Sequence, residues 1–266
     1  MLALICGRGA LPALIVQNCS RPPLIAALSQ FQPDDLVPEV CFRLETLGTF
    51  LILLKQRGVT KVCFAGAIRR PNIEPSIIDS ATEPLIANIS AALTQGDDGA
   101  LKVVISIFEQ AGFQIIGFDE IVPDLFPTAG ILTKISPTSQ DYKDATRAAS
   151  VVAGMSHLDV GQACAVAGGQ VLAVEAYGGT EWMLNSLTAG VDCCPRGGLL
   201  FKSAKIYQDR RIDMPSIAPK TCQQVKDAGL KGIVIARGEV LVLNLLDVIS
   251  EANRLGLFIW VRENLP

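Results

Sequence analysis

Residues 2–12 read Leu2-Ala3-Leu4-Ile5-Cys6-Gly7-Arg8-Gly9-Ala10-Leu11-Pro12, and they give the strongest indication of fold class in the chain. The apolar run predicts a strand over Leu2–Cys6, and the two glycines that follow predict a tight turn. Leu11–Asn18 is predicted to be a helix, because Pro12 suits the first turn of a helix. A buried strand that passes through such a turn into a helix is the opening unit of a parallel α/β sheet.

Short apolar runs and helical stretches alternate through the rest of the chain, which favours an α/β fold. We predict further strands at residues 22–29, 61–65, 113–118, 232–235, 240–243 and 257–261, and further helices at residues 46–57, 83–93, 98–111, 139–153, 221–228 and 246–254. Two apolar segments flank Gly168-Gly169, which predicts a β-hairpin over residues 162–175. The segment Lys134–Thr138 has the composition of a linker, so we expect two domains that divide near residues 133–137.

The composition indicates a well-packed globular protein and excludes several classes. Of the 266 residues, 50% are hydrophobic and 18% are charged, which argues against intrinsic disorder. The 23 basic residues do not outnumber the 26 acidic residues, so a nucleic-acid partner is not expected. The mean hydropathy of +0.38 indicates either parallel sheets buried on both faces or an apolar surface for a lipid.

The positions of the cysteines and the single histidine disfavour a zinc site and a serine–histidine hydrolase. None of the 8 cysteines forms a Cys-x-x-Cys pair, and His157 has no cysteine at zinc-site spacing, so we expect a reduced, cytoplasmic chain. Two loop thiols are the favoured interpretation of Cys193-Cys194. One histidine also disfavours a serine–histidine hydrolase. No run approaches the roughly 18 apolar residues of a membrane-spanning helix, and no secretory signal is expected at the N-terminus.

A charged segment near the C-terminal end, Gln208–Pro215, is the first candidate site. If it is extended, Asp209, Arg211 and Asp213 share one face. Such a face could hold a divalent cation through its carboxylates and a phosphate oxygen through its arginine. The alternative is a solvated strand edge whose charges oppose aggregation.

Two glycine loops follow predicted strands, which is where open α/β sheets bind ligands. Gly7–Pro12 would let the backbone approach a phosphate at the start of a helix, although Pro12 replaces the third glycine of a dinucleotide fingerprint. Gly66–Pro71 carries Arg69 and Arg70, an arginine pair that suits phosphate recognition. A ligand-free turn and a plain surface loop are the respective alternatives.

Two further candidate segments precede predicted helices. Asp97, in Gly96-Asp97-Asp98, could bind a sugar or a metal-bound water, or it could be a helix N-cap. Gly178-Gly179-Thr180-Glu181 could place a hydroxyl and backbone amides around an anion, or Thr180 could cap the helix that follows. Neither segment distinguishes a binding site from a helix start by itself.

Taken together, the ordered segments resemble one family, the LpxI-type UDP-2,3-diacylglucosamine pyrophosphatases of lipid A synthesis. The similarity extends along almost the whole chain and includes Gln208-Asp209, Arg211, Asp213 and Pro215 at the family spacing. Other matching segments are Gly7–Pro12, Phe64–Pro71, Gly96–Asp98, Lys134–Pro137, Asp159–Gln162, Val174–Leu184 and Lys202–Ile217. The resemblance implies a Rossmann-like N-terminal domain over residues 1–133 and a smaller C-terminal α/β domain over residues 138–266 that carries the catalytic aspartate, with the ligand cleft between them.

The resemblance also implies a reaction and a set of partners. The reaction is the magnesium-dependent hydrolysis of the pyrophosphate bond of UDP-2,3-diacylglucosamine to 2,3-diacylglucosamine 1-phosphate and UMP. The protein would be cytoplasmic and would contact the inner face of the inner membrane peripherally, and a homodimer is left open. A non-catalytic nucleotide-sugar or lipid-binding protein is the main alternative, and a nucleotide-dependent oxidoreductase is a weaker one.

The expected site combines the family motifs with the candidates found from the residues themselves. The critical aspartate of the family falls on Asp213, its glycine loop on Gly9 and Ala10, and the threonine of its second loop on Thr180. Asp213 is the expected catalytic residue and, with Asp209, the expected ligand of Mg²⁺. The residues expected to bind substrate are Gly7, Gly9, Ala10, Gly66, Arg70, Asp97, Thr180, Glu181, Gln208 and Arg211.

Overall fold

The computed structural model describes residues 1–68, 72–93, 97–188 and 197–263, which form two compact units. Unit 1 comprises Met1–Pro123 and Asp209–Asp213, and unit 2 comprises Asp124–Gln208 and Met214–Pro266. Within the described ranges, no helix combines the length and the apolar content that a membrane span needs.

Unit 1 is built around a five-stranded parallel sheet. Its strands, in the spatial order β3-β2-β1-β4-β5, are β1 (Leu2–Cys6), β2 (Leu24–Leu28), β3 (Val40–Phe42), β4 (Lys61–Ala65) and β5 (Gln114–Ile115). Its described helices are α1 (Leu11–Asn18), α2 (Leu47–Gln56), α3 (Ile86–Leu93) and α4 (Asp97–Gln110). These elements confirm the predictions, except that β5 is shorter than expected and β3 is not predicted, because three residues are too few to show a period of two.

The strand order changes direction at β1, because β2 and β3 lie on one side of it and β4 and β5 on the other. In open α/β sheets, ligands bind at such a switch point, beyond the carboxyl ends of the strands. The loop after β1, Gly7–Ala10, and the loop after β4, which starts at Gly66, both leave the sheet at this point. Both glycine loops therefore lie at the edge of the sheet where we expect them from the sequence.

One face of this sheet packs against α2 and α4. The core cluster joins strand and helix residues that include Ala3, Ile5, Val62, Phe50, Leu54, Ile105 and Phe108. Ile212, from the short second segment of unit 1, packs against the same cluster. The apolar core therefore fixes both the sheet and the segment that carries Asp213.

Unit 2 contains a six-stranded mixed sheet in the order β6-β13-β11-β9-β7-β8 and a parallel pair, β10 and β12. Its strands are β6 (Gly130–Ile131), β7 (Ala163–Ala167), β8 (Gln170–Val174), β9 (Leu199–Lys202), β10 (Ser216–Ile217), β11 (Gly232–Ala236), β12 (Leu241–Val242) and β13 (Phe258–Arg262). Its described helices are α5 (Ser139–Ser156), α6 (Gly179–Thr188), α7 (Pro219–Asp227) and α8 (Leu245–Leu255). The predicted hairpin of β7 and β8 is confirmed, as is the two-domain α/β fold. The ligand cleft stays a prediction.

The central strands of this sheet are buried on both faces, and alternate residues face different helices. In β11, Ile233 and Ile235 belong to the cluster that contains α6, α7 and α8, whereas Val234 and Ala236 belong to the cluster that contains α5. Strands β7, β9 and β13 alternate in the same way. Burial on both faces explains why these strands are continuous apolar runs, and it supports the explanation of the high mean hydropathy by buried sheets.

The division between the units lies earlier than we expect from the sequence. Strand β6 pairs with β13, and the amide of Lys134 donates to Asn253 Oδ1 at 2.8 Å. Residues 130–134 are therefore part of unit 2 and do not form a linker between the units. Asp209–Asp213 group with unit 1, and Ile212 packs into the core of that unit.

A substitution at Gly48 would test how closely α2 packs against the chain segment that follows β4. A Cβ atom at Gly48 would lie 2.1 Å from the carbonyl oxygen of Ala81, a backbone atom that cannot rotate away. We expect Gly48→Ala to lower the free energy of unfolding by about 1–3 kcal/mol, the usual cost of overpacking. Urea unfolding followed by circular dichroism measures this change.

Gly154→Ala is the matched control, since Gly154 also lies inside a helix but a Cβ there would meet nothing within 4 Å beyond its own helix. We expect this variant to gain about 0.5–1 kcal/mol of stability, because alanine loses less backbone entropy than glycine in a helix. Equal effects of the two substitutions would contradict the close contact at Gly48.

Candidate functional site

The two glycine loops of unit 1 contact each other through their backbones. The Arg8 amide donates to the Ala67 carbonyl at 2.9 Å, and the Ala67 amide donates to the Arg8 carbonyl at the same distance of 2.9 Å. A Cβ on Gly7 would lie 2.5 Å from the Ala67 oxygen, and a Cβ on Gly66 would lie 2.7 Å from the carbonyl carbon of Gly7. Glycine is therefore required at both positions by the contact between the loops, whether or not a ligand binds.

Gly9 differs from these two glycines because it borders open space. Its φ is +97°, and a Cβ there would meet nothing within 4 Å. Its amide donates to Asp34 Oδ2 at 2.8 Å, so the Asp34 carboxylate accepts a hydrogen bond that a phosphate oxygen could accept instead. Helix α1 starts directly after Ala10, whose side chain supplies no capping bond. The loop thus presents backbone donors at the start of a helix, an arrangement that suits an anion.

The charged segment at residues 208–215 contains a turn and is not an extended strand. The Asp209 carbonyl accepts hydrogen bonds from the amides of Ile212 at 3.2 Å and Asp213 at 3.1 Å. Asp209 Oδ1 also accepts a bond from the Arg211 amide at 3.0 Å. The segment is therefore not extended, so the condition under which Asp209, Arg211 and Asp213 would share one face is not met.

Arg211 lies between two carboxylates. Its Nε donates to Asp209 Oδ1 at 3.0 Å and its Nη2 to Asp209 Oδ2 at 2.7 Å, while Nη1 donates to Glu109 Oε1 of α4 at 2.9 Å. The hydrogen bonds from Arg211 lower the pKa of Asp209, and the bonds to Asp209 and Glu109 raise the pKa of Arg211. A substrate phosphate would have to compete with these carboxylates for the guanidinium.

Asp209 and Asp213 are the two predicted ligands of magnesium. Both oxygens of Asp209 accept bonds from Arg211, which leaves that carboxylate poorly suited to direct coordination. Asp213 is half-buried at the end of the same turn, and its role as a ligand of magnesium stays a prediction. Within the described residues, no three or more histidine, cysteine or acidic side chains are grouped to hold a metal. Mg²⁺ commonly binds one or two carboxylates together with substrate phosphates, so a single aspartate is a sufficient protein contribution.

Unit 2 contains a buried polar network that joins Glu175, Thr180 and Lys202. Thr180 Oγ1 donates to Glu175 Oε2 and accepts a bond from Lys202 Nζ at 2.8 Å. Lys202 Nζ also donates to the Ser216 carbonyl at 3.2 Å. Only 7% of Glu175 and 5% of Lys202 are exposed, so we infer that the carboxylate and the ammonium compensate each other through the threonine hydroxyl.

This network changes the interpretation of Thr180. Helix α6 begins at Gly179, so Thr180 lies in its first turn and is not its N-cap. The hydroxyl proton is directed to Glu175. Toward a ligand, Thr180 therefore offers an oxygen lone pair and its position at the start of a helix, and its hydroxyl can donate only if the bond to Glu175 opens.

Glu175 and Lys202 are absent from our sequence-based candidates, although both stand at the end of an apolar run. Glu175 follows β8, and Lys202 is the last residue of β9, at the carboxyl end of a parallel strand. A charged residue at that point is the signal that could have identified them. Glu109 has no comparable signal, since it meets Arg211 across 102 residues of chain.

The remaining predicted residues have other contacts or lie outside the described residues. Gln208 is buried, and its Oε1 accepts a bond from the Lys205 amide at 2.9 Å. Glu181 forms an exposed ion pair with Lys220 at 2.8 Å, and the bond from Lys220 lowers its pKa. Arg70 and the side chain of Asp97 lie outside the described residues, so the roles predicted for them are not tested.

Lys202→Met should destabilise unit 2, because it leaves the Glu175 carboxylate buried without its cation. Removal of one partner of a buried charge pair typically costs about 3–5 kcal/mol. Adding Glu175→Gln should recover part of this loss, and thermal unfolding of the single and double variants measures the coupling. A double variant whose loss equals the sum of the single losses would contradict compensation through Thr180.

Comparisons with known proteins cover almost the whole chain. Residues 1–125 match the LpxI N-terminal domain, and residues 128–260 match the LpxI C-terminal domain. The chain is also similar to the protein named UDP-2,3-diacylglucosamine pyrophosphatase LpxI from Caulobacter vibrioides, with 34% identity over 269 residues that cover 97% of this chain and 96% of that protein. The matches extend through both domains and confirm the resemblance found in the sequence. The chain therefore belongs to the LpxI family.

Proposed function

We propose that this chain hydrolyses the pyrophosphate bond of UDP-2,3-diacylglucosamine in lipid A biosynthesis and releases 2,3-diacylglucosamine 1-phosphate and UMP. The observation that carries the proposal is the similarity to an enzyme named for this substrate over 97% of the chain. The hydrogen-bonded turn that ends at Asp213 supports it, because a catalytic carboxylate has to be held in place. A non-catalytic nucleotide-sugar or lipid-binding protein is the alternative.

The chemistry requires positioning more than it requires a protein nucleophile. Water forms a new bond to one phosphorus, the bond from that phosphorus to the bridging oxygen breaks, and the bridging oxygen leaves with the electron pair. Catalysis of such a transfer depends on holding the diphosphate and orienting the water. Asp213 would hold the metal or accept a proton from the attacking water.

Backbone donors of unit 1 are suited to the diphosphate. The Gly9 amide, which donates to Asp34 at 2.8 Å, would donate to a phosphate oxygen in its place. The first turn of α1 adds the partial positive charge of a helix N-terminus. Thr180, at the start of α6, is a further predicted substrate-binding residue, and its hydroxyl is held between Glu175 and Lys202.

Magnesium dependence is part of the proposal. Asp213 would supply the protein carboxylate, and the substrate phosphates would supply further ligands. When bound, the ion would offset the negative charge that develops on the phosphate oxygens. Asp209 would not bind it directly, since Arg211 occupies both of its oxygens.

We also propose that the enzyme works peripherally at the inner face of the inner membrane. The proposed substrate carries two acyl chains that partition into a bilayer. Large exposed aromatic side chains support contact with an interface, and in unit 2 they include Tyr177, Trp182 and Tyr207, which are 103%, 62% and 61% exposed. A homodimer stays a prediction.

Asp213→Asn should preserve the fold and reduce UMP release from the diacylated substrate about a hundredfold or more, because it removes the carboxylate from a metal-assisted centre. Measurement of UMP with and without added magnesium separates an enzyme from a binding protein. The control is Asp227→Asn on α7, an exposed aspartate whose Oδ1 accepts a bond from Gln223. If folded Asp213→Asn turns over like the control, the assignment of Asp213 is wrong.

Gly9→Val should weaken substrate binding with a modest loss of stability. The valine would adopt a positive φ of about +97° at a strain of roughly 1–3 kcal/mol, and its side chain would project into the open space beside the loop. Substrate affinity and melting temperature are measured on the same protein. A variant with reduced stability but wild-type affinity would show that the loop is only a turn.

A further inference from the structure

We propose that Asp209 and Glu109 are positioning residues, which act through Arg211 to hold the turn that presents Asp213. This inference rests on the proposed function, because it takes Asp213 as the catalytic carboxylate. It gives Asp209 a role different from metal coordination, and it adds a residue of α4 that the family motifs do not include. The turn over Asp209–Asp213 is called the Asp209 turn below.

Asp209 builds the turn from both its backbone and its side chain. Its carbonyl accepts the amides of Ile212 and Asp213 at 3.2 and 3.1 Å, and its Oδ1 accepts the amide of Arg211 at 3.0 Å. Three successive amides therefore point at one residue. An aspartate that bonds backbone two residues ahead favours such a turn over an extended chain.

The side chain of Arg211 is folded back onto the same carboxylate. Its Nε and Nη2 donate to the two oxygens of Asp209 at 3.0 and 2.7 Å. A planar guanidinium that meets both oxygens fixes the orientation of the carboxylate as well as its charge. Oδ1 therefore accepts bonds from both the backbone amide and the Nε of Arg211. Each of the two carboxylate oxygens accepts at least one bond from the arginine side chain.

The Asp209 turn is anchored to the rest of unit 1 at two points. Arg211 Nη1 reaches Glu109 Oε1 on α4 at 2.9 Å, and Ile212 packs against the core cluster. The apolar contact buries one side of the turn, and the ion pair fixes its rotation relative to α4. Asp213 follows directly, so its backbone position depends on both anchors.

The consequence for catalysis follows from the sensitivity of positioned groups to small displacements. A shift of about 1 Å at a catalytic group can cost roughly a hundredfold in rate. The ion pair of Arg211 and Glu109 is partly exposed, so its loss should affect folding little. Its loss should instead loosen the turn and lower kcat, with a smaller effect on KM.

The test uses Asp209→Ala, Asp209→Asn and Glu109→Ala. Asparagine keeps one acceptor oxygen for the turn but loses the charge, so it should rescue part of the function that alanine loses. Glu251→Gln is the matched control, because Glu251 forms a similar exposed pair with Arg254, at 2.7 Å, within α8. Each variant is examined by amide hydrogen exchange at residues 211–213 without magnesium or substrate, and by kcat and KM over a magnesium titration that extends beyond saturation of the wild type.

We expect amide exchange at residues 211–213 to be fastest in Asp209→Ala, intermediate in Asp209→Asn and slowest in the wild type. We expect kcat to be lowest in Asp209→Ala, intermediate in Asp209→Asn and highest in the wild type. The loss of kcat should approach a hundredfold for Asp209→Ala, and Glu109→Ala should change both quantities in the same direction by a smaller factor. Glu251→Gln should match the wild type. Unchanged exchange in the Asp209 variants, together with kcat restored by excess magnesium, would instead identify Asp209 as a metal ligand and overturn the proposal.

The exchange measurement is independent of the proposed reaction. If the wild-type protein releases no UMP, the proposed function fails while exchange still reports whether Asp209 and Glu109 hold the turn. If the wild type is active and Glu109→Ala matches it in both exchange and kcat, Glu109 is not a positioning residue and the proposal fails.

Discussion

Burial of the central strands on both faces is the constraint on which the rest of this structure depends. In β11, successive side chains alternate between two apolar clusters, so a polar group there would be buried without a partner. Polar chemistry is thereby confined to the places where strands end. The glycine loops after β1 and β4 and the ammonium at the end of β9 all lie at such ends. The same constraint that raises the apolar content of the chain therefore also limits where polar residues can lie on its strands.

Lys202 shows how close to the interior a charge can come under this constraint. It is almost fully buried, yet it meets a threonine hydroxyl and a backbone carbonyl, and the hydroxyl connects it to Glu175. A compensated network of this kind holds its members rigidly, because any rearrangement exposes an unpaired charge to an apolar surrounding. The rigidity applies equally to Thr180, whose hydroxyl is held from both sides.

The sequence predicts the parts of the fold that depend on local patterns. Strands such as β1 and β4 are continuous apolar runs followed by glycine, so their bounds follow directly from the residues. Strands β6 and β10 have two residues each and take their geometry from the strands beside them, which no local pattern records. The turn at Asp209 has the same limitation. The spacing of its charged residues is compatible with an extended strand as well as with a turn. The turn is favoured by the hydrogen bond between Asp209 and Arg211 and by the bond from Arg211 to Glu109, which is far away along the chain.

The assignment of Asp209–Asp213 to unit 1 has a consequence for the history and the biosynthesis of the protein. The five residues Asp209–Asp213 complete a unit whose other residues are Met1–Pro123. A ribosome would have to synthesise the chain as far as residue 213 before unit 1 could acquire all of its contacts, so its folding is completed late. Recombination that exchanged the second half of the gene for another would also remove the turn from the first unit. Unit 1 is therefore complete only when residues 1–123 and residues 209–213 are part of the same chain.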